Sequence, residues 1–487
     1  MTDKVTKPRQ RKKRDPKPSA LIREDVIKEK PITNLAVRNL DRIDSPSTLQ
    51  LAVVPNPNPV VVSRPTLEGD DALTAIRWRY KLPMLFQPSQ QDIFDTAFIS
   101  HFVELNRGVR SQNAGIPWIS RVPDLHNYSI KPALRLSIRA ASMAFYSQVH
   151  QDVSVLTDSY RWYMKGLNYQ RQSISSLDGN SIPSDDAVLV PIILGLYEVY
   201  AGTTPTSVFH HLAAATKILQ MRGPSNCSSG VSLQLFKAMR VSDAHKSLIF
   251  NRPSPLSTPE WLTLPFIVHP KNAHHCLTDI LLAIPACIGL CGRSGSLADF
   301  FSRPIPHSAD LQPTRQRTKQ LLRDIDDWAE RYPHLCYADP IAQIVNADMS
   351  TSILATNSSN APKSPSLMLP DTFTALTAAT FYATRLTLIL LRDKISSPPV
   401  SPNIARIRTE TVGIADAISH SISILQVAAF IESTHPVGFD FMRSVFPLVV
   451  VGLLGPQEHE QNLARNMLVR WGERRGVGGL CGSWVHI

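Results

Sequence analysis

The sequence predicts an all-α protein: a multi-helix antiparallel bundle or an irregular helical array behind a disordered basic N-terminal arm. Apolar residues recur at steps of three, four and seven in segment after segment, which is the period of an amphipathic helix. Convincing runs of alternating β-branched residues are few. The 487 residues include only 21 glycines but 38 prolines, a balance that favours interrupted helices over tight β-turns.

The first helices carry their own start signals and apolar stripes. Ser89 is followed closely by an acid and then by a stripe that includes Phe98 and Phe102. Pro132 opens the second predicted helix, as proline is favoured in a first helical turn. The third has apolar or aromatic residues at steps of four, three, four, seven and three: Leu156, Tyr160, Tyr163, Leu167, Ile174 and Leu177.

Later helices follow the same pattern. Ser184, with two aspartates after it, and Gly202 predict the two ends of one helix, which Pro191 should kink or shorten at its first turn. Pro285 should break another. The polar segments 293–312 and 339–370 are expected to be long loops. The predicted helices span 89–106, 131–150, 155–177, 184–202, 205–222, 233–249, 274–291, 314–331, 371–394, 404–431 and 457–474.

The positive charge of the chain is concentrated in its first 18 residues. They contain eight Lys or Arg and two Asp, and so contribute +6 of the formal net charge of +11. We expect residues 1–69 to form a disordered arm, proline-rich over 45–66, and residues 70–487 to form the helical domain. The run RQRKKR is the candidate nuclear import signal, with nonspecific phosphate contact as a second role. The candidate residues are Lys7, Arg9, Arg11, Lys12, Lys13, Arg14 and Lys17.

Cysteine usage and apolar run length indicate an intracellular protein. The six cysteines show no disulfide spacing, which is typical of a reducing compartment. The N-terminus lacks the apolar region of a secretory signal. The longest apolar runs, 280–291 and 445–455, are shorter than the roughly 20 residues of a membrane span, so no membrane partner is expected.

The adjacent pair His210 and His211 is expected to belong to a packing helix. Thr204 and Pro205 predict its start, and Gly223 followed by proline predicts its end. Adjacent helical residues diverge by about 100°, so one metal ion is not easily held by both rings. His211 should lie at the edge of the apolar face and His210 should point away with Lys217. The predicted buried face comprises Val208, Leu212, Ala215 and Leu219.

This helix and its surroundings resemble the helical regulatory domain of fungal zinc-cluster transcription factors. The resemblance rests on a Tyr-Glu helix, then an aromatic residue with a nearby histidine, a small-residue helix and Arg-Gly-Pro. These positions are Tyr197, Glu198, Phe209, His211 or His210, Arg222, Gly223 and Pro224. Four further segments extend the likeness to roughly residues 85–487: FISHFVELN (98–106), YRWYMKGLNYQRQSI (160–174), LLRDIDDWAERYPHL (321–335, with Trp328) and LARNMLVRWGERRG (463–476).

The resemblance implies a fungal nuclear transcription regulator whose domain receives regulatory input and contacts transcription machinery or co-regulator proteins; it leaves a homodimer open. Factors of this family bind DNA through an N-terminal module in which six cysteines hold two zinc ions. Residues 1–226 contain no cysteine. We therefore expect only weak, nonspecific DNA binding from this chain, and no stoichiometric zinc.

Other constellations weigh against an enzyme. His274, His275, Cys276, Cys287 and Cys291 match no common zinc spacing, and the thiols are expected to lie in the core. The acidic set Asp324, Asp326 and Asp327 lacks the DDxxD spacing of a magnesium-dependent lyase or transferase, and should be a solvated face beside Trp328. The glycine run 476–482 lies at the chain end and cannot open a phosphate-binding βαβ unit. No catalytic, cofactor or metal site is predicted. A helical scaffold with no gene-regulatory role remains the alternative.

Overall fold

The computed structural model describes residues 91–106, 118–175, 182–306, 308–336, 371–396 and 404–485. All of these lie within the compact unit Thr66–Ile487. In the described residues the regular structure is helical and contains no strand, which confirms the predicted all-α class.

Within the described ranges, short turns and 3₁₀ segments connect many of the consecutive α-helices. Sixteen α-helices fall in the described ranges: α1 (Gln91–Asn106), α2 (Val122–Tyr128), α3 (Pro132–His150), α4 (Val153–Ser175), α5 (Asp185–Ala201), α6 (Ser207–Arg222), α7 (Gly230–Ile249), α8 (Pro259–Thr263), α9 (Ala273–Gly289), α10 (Leu297–Ser302), α11 (Gln312–Arg331), α12 (Thr372–Ser396), α13 (Ile404–Thr434), α14 (Gly438–Leu454), α15 (Glu458–Arg474) and α16 (Gly478–Val485).

Consecutive helices pack side by side and bury one large apolar core. In the first half, α3 pairs with α4 and α5, α5 pairs with α6, and α6 leads to α7. In the second half, α12 contacts α11, α13 and α14. The helix α9 lies between α7 and α11, and the last helix returns to pack on α5 and α6. Apolar burial across these contacts stabilises the array, since each CH₂ removed from water contributes about 0.8 kcal/mol.

Several predicted boundaries are confirmed by cap geometry. Pro132 is the first residue of α3. The Ser184 hydroxyl accepts a hydrogen bond from the backbone N–H of Ala187 at the start of α5, and Gly202 ends that helix with φ of 60°. The helix continues through Pro191, and α9 runs unbroken through Pro285, so the predicted break there is wrong. Both prolines sit within the helices and both are buried.

Other elements differ from the expectation. Residues 438–454 form α14, where the sequence analysis noted only the apolar run 445–455 and predicted no helix. The glycine-rich chain end contributes to α16. The predicted loop 293–312 contains α10, which is held by a capping box between Ser296 and Asp299. The predicted loop 339–370 and the whole arm 1–69 lie outside the described residues.

Two of the helices are long and apolar enough to cross a bilayer by length and composition, Thr372–Ser396 and Gly413–Thr434. Within the fold, 89% of the apolar window in the first helix is buried and 44% in the second. A core helix of a folded domain passes the same test of length and hydropathy, and α12 is such a helix because its neighbours are other helices of the array.

Candidate functional site

Glu198 closes the turn between α5 and α6. Its carboxylate is fully buried and accepts hydrogen bonds from the Thr203 backbone N–H at 3.0 Å, the Thr203 hydroxyl at 2.7 Å and the Ser207 hydroxyl at 2.8 Å. Ser207 is the first residue of α6, so the carboxylate also lies beside the positive end of that helix dipole. Glu198 therefore stabilises the start of α6 from the preceding helix.

The predicted start of α6 is wrong by two residues. Thr204 and Pro205 were expected as cap residue and first helical residue, but the helix begins at Ser207, and Thr206 at its N-terminus makes no side-chain cap hydrogen bond. The Ser207 hydroxyl is bound by Glu198, a partner nine residues back in the chain. Glu198 thus binds the first side chain of α6 and the turn residue Thr203, and so ties the end of α5 to the start of α6.

Tyr163, Tyr197 and His211 join α4, α5 and α6 in a buried aromatic cluster. The Tyr163 hydroxyl and His211 Nε2 lie 3.1 Å apart, and the two tyrosine rings stack with centroids 4.2 Å apart. Burial lowers the pKa of His211 to about 4 and raises that of Tyr163, so both side chains are neutral near pH 7. A Cβ on Gly195 would lie 3.3 Å from the His211 Cβ, a measure of how closely α5 and α6 approach.

Arg222 joins the end of α6 to the starts of α5 and α7. Its guanidinium pairs with Asp185 at 2.8 Å and donates to the Pro183 carbonyl at 2.9 Å and to the Ser232 hydroxyl at 2.6 Å. The fixed fork of an arginine suits such converging acceptors, which a lysine could not satisfy together. Gly223 follows with φ of 81°, a region that favours glycine. The Arg-Gly-Pro segment is therefore a structural corner.

The last helix docks against the same region. A Cβ on Gly479 would lie 1.9 Å from the Glu198 carbonyl oxygen, so only glycine fits there. The Phe209 and Trp484 rings meet with centroids 4.6 Å apart. Together with the hydrogen bonds of Glu198, these contacts make the Tyr-Glu helix the common support for α4, α6 and α16. These contacts connect the Tyr-Glu helix to its neighbours.

The faces of α6 are largely those predicted. His211 is buried, and His210 and Lys217 are exposed, as expected. Val208, Ala215 and Leu219 are buried, but Leu212 is only half-buried and the expectation of a fully buried Leu212 is wrong. Phe209 and Ile218 are buried as well; the sequence placed Ile218 beside His211 at the edge of the face and did not include Phe209 in it. The Phe209 ring contacts Trp484 on the last helix. The spacing of apolar residues within α6 cannot predict a contact with such a distant residue.

The thiols and acids on and beside α9 and α11 lie only partly where the sequence placed them. Cys276, expected in the core, is half-buried, and so is Asp324, expected on the solvated face. Cys287 and Cys291 are buried, and each has its sulfur 3.4 Å from a threonine hydroxyl, that of Thr318 and that of Thr314 respectively. Asp326 and Asp327 are exposed, and Asp326 pairs with Arg385 at 2.9 Å. No group of three or more His, Cys, Asp or Glu side chains in the described part of the chain could hold a metal ion.

A groove with a volume of about 600 Å³ lies between α9 and α11. Its floor is apolar and includes Ile280, Leu321 and Trp328, and its rim carries Arg317, Asp324, Asp327 and Arg331. Trp328 is held in place because its indole N–H donates to the Ala273 carbonyl at 2.8 Å. Charges of both signs on the rim give the groove no clear preference for a cationic or anionic ligand.

The nuclear-targeting candidates, Lys7 to Lys17, lie outside the described residues.

Comparison with known proteins assigns the family. The model of the fungal specific transcription factor domain matches residues 98–487, which includes the Glu198 turn, the Arg222 corner and the groove. The chain belongs to this family. The fungal specific transcription factor domain is non-enzymatic, in agreement with the absence of a predicted catalytic site.

A relative from Emericella nidulans, described as an uncharacterized protein, is 23% identical over 216 residues. That match covers 43% of this chain and 45% of the relative, so the chain spans less than half the length of the curated relative it matches. No solved structure matches the chain.

Proposed function

We propose that this chain is a nuclear transcription regulator whose helical domain binds transcription machinery or co-regulator proteins. The match of the fungal specific transcription factor domain to residues 98–487 carries the proposal. In this proposal residues 1–69 are the arm and 70–487 the regulatory domain. DNA contact by the chain itself is weak and independent of sequence, because residues 1–226 contain no cysteine for a zinc cluster.

The basic run of the arm supports nuclear import. Five of its six residues, 9–14, are Lys or Arg, and two further lysines flank them. A folded domain of this size needs such an address to enter the nucleus efficiently. The same run would contact phosphates without reading bases, and that binding would weaken as salt rises.

The test is the localisation of a fluorescent fusion of the full chain. Substituting glutamine for all five charges of the run should move the fusion from nucleus to cytoplasm, and should weaken salt-sensitive binding to random duplex DNA. The matched control removes five exposed charges of the domain and should stay nuclear: Lys165, Arg171, Lys217, Lys319 and Arg474. A wild-type chain that is never nuclear would favour a helical scaffold. A nuclear variant without the run would show that the arm is only a tail.

A further inference from the structure

Three cations surround one aromatic ring at the junction of α7 and α9. The Phe266 ring centroid lies 5.7 Å from Lys237 Nζ, 5.3 Å from Arg240 Cζ and 5.0 Å from Lys271 Nζ. Lys237 and Arg240 are one helical turn apart on α7, and Lys271 precedes the N-terminus of α9. We call these four residues the Phe266 cluster. Each separation is within the range of a cation–π contact.

The cluster carries more positive charge than its surroundings balance. Asp279 pairs with both Arg240 and Lys271. Within the described ranges, no carboxylate forms an ion pair with Lys237. Three cations thus share one acid, and the Phe266 cluster with Asp279 has a net charge of +2. The N-terminal end of α9 adds the positive end of a helix dipole.

The excess charge is held out of water. Arg240 is fully buried, and its Nε has no hydrogen-bond partner among the described residues. The Lys271 side chain is 18% exposed, and Lys237 is half-buried. Burial lowers the pKa of Arg240 to about 9 and, with repulsion from Arg240, that of Lys271 to about 8. These lowered pKa values mean that the charged forms of Arg240 and Lys271 are destabilised in the free protein. An anion bound among the cations would stabilise their charged forms.

The surface beside the cluster is apolar and open. Ile267 and Val268 directly follow Phe266 and are 70% and 64% exposed. Two adjacent exposed aliphatic side chains next to recessed cations match a ligand that combines carboxylates with apolar side chains. Duplex DNA fits less well, because its phosphates offer no apolar group for the exposed Ile267 and Val268 side chains to contact.

We propose that the Phe266 cluster, with Ile267 and Val268, docks a short acidic segment of a partner protein that carries apolar residues between its carboxylates. Lys237 and Lys271 bind the carboxylates, Arg240 supplies buried positive charge, and the two aliphatic side chains contact the apolar residues. The proposal names a partner chemistry for the regulator proposed above. The peptide proposal is tested on the purified chain. If the chain were not nuclear, the peptide proposal would still stand, and if the peptide did not bind, the proposed nuclear role would still stand.

The test measures fluorescence anisotropy of a labelled peptide with four Asp-Asp-Leu repeats binding to the full chain. Two matched peptides replace every Asp by Asn or every Leu by Ser. The Asp-Asp-Leu peptide should bind at least about tenfold more tightly than the Asn version, and more tightly than the Ser version. Equal binding of the Asp and Asn peptides would overturn the proposal, as would no binding of the Asp-Asp-Leu peptide.

Charge variants locate the binding. Lys237→Met with Lys271→Met should weaken the Asp-Asp-Leu peptide about tenfold or more without lowering the melting temperature, because the repulsion in the cluster is relieved. The control, Lys217→Met with Lys319→Met, removes the same charge from exposed positions and should bind within about twofold of wild type. Equal losses in both double variants would mean a general field effect and would overturn the proposal.

A third variant and a competitor complete the test. Ile267→Ser with Val268→Ser should weaken the Asp-Asp-Leu peptide and leave the Ser-containing peptide unaffected, since only the former has leucines to contact. Random duplex DNA should not compete at the cluster. If the Lys237 and Lys271 double variant loses DNA binding while deletion of residues 1–18 does not, the cluster is a DNA contact and the peptide proposal is wrong.

Discussion

Glu198→Ala should be among the most destabilising single changes on the polar side of the fold. The carboxylate accepts hydrogen bonds from both donors of Thr203 and from the Ser207 hydroxyl, and it is fully buried. Hydrogen bonds to a charged group contribute about 1.5–3 kcal/mol each, and donors left without a partner add to the loss. Because Thr203 is half-buried, water can replace part of its bonding. We expect the free energy of unfolding to fall by about 3–4 kcal/mol.

Two matched variants separate the carboxylate from side-chain volume and from charge alone. Glu198→Gln keeps the shape and one acceptor oxygen, and should cost about 1–2 kcal/mol. Glu330→Ala removes an exposed carboxylate from α11 and should change stability by less than about 0.5 kcal/mol. Urea unfolding of the full chain, followed by far-ultraviolet circular dichroism, gives all three values. Equal losses for the Ala and Gln variants at position 198, or a loss in Glu198→Ala of less than about 1 kcal/mol, would refute the stabilising role of the carboxylate in the α5–α6 turn.

Three further predictions concern the same helices. Leu219→Ala should lower the free energy of unfolding by about 2–5 kcal/mol, and half-buried Leu212→Ala should lower it less. Exposed His210→Ala should change it by less than about 0.5 kcal/mol. If chemical unfolding gave the reverse order, the assignment of the buried face of α6 would be wrong. Gly479→Ala should lower the melting temperature sharply, because its Cβ would meet the Glu198 carbonyl oxygen, and a melting temperature equal to wild type would contradict the docking of α16 on α5. Burial lowers the pKa of His211 to about 4 against 6.5 in the unfolded chain, so the unfolded state binds the proton first and stability falls as pH drops from 6.5 to about 4. His211→Gln should reduce the slope of stability against pH in that window, and an unchanged slope would show that His211 does not contribute to it.

The sequence predicted those elements whose signals are local. Ser184 and Gly202 mark the ends of α5, and Pro132 marks the start of α3, because caps and first-turn prolines act within one turn of the chain. The helix α14 was missed because its second half, from Val445 to Leu454, is a continuous apolar run, which has no amphipathic period to detect. The apolar run 445–455 indicated a buried segment, but its composition did not distinguish a helix from a strand.

The site depends on contacts between distant segments, and the sequence could predict only its members. Tyr197, Glu198 and Arg222 were selected by resemblance, whereas the contact between Tyr163 and His211 joins two residues that are 48 positions apart in the chain. The Phe266 cluster gave no sequence signal, because Lys237 and Lys271 are 34 positions apart and meet only when α7 packs on α9. Net charge located the arm, since its residues are contiguous, but could not reveal a cluster assembled by packing.

The most direct test of the account is the joint measurement of chromatin occupancy and transcript levels for the full chain. The account predicts that the protein associates with chromatin and that its acute depletion changes the transcripts of genes near the occupied sites within one round of transcription. A chain that is absent from chromatin, and whose depletion leaves transcript levels unchanged, would contradict the assignment of a transcription regulator.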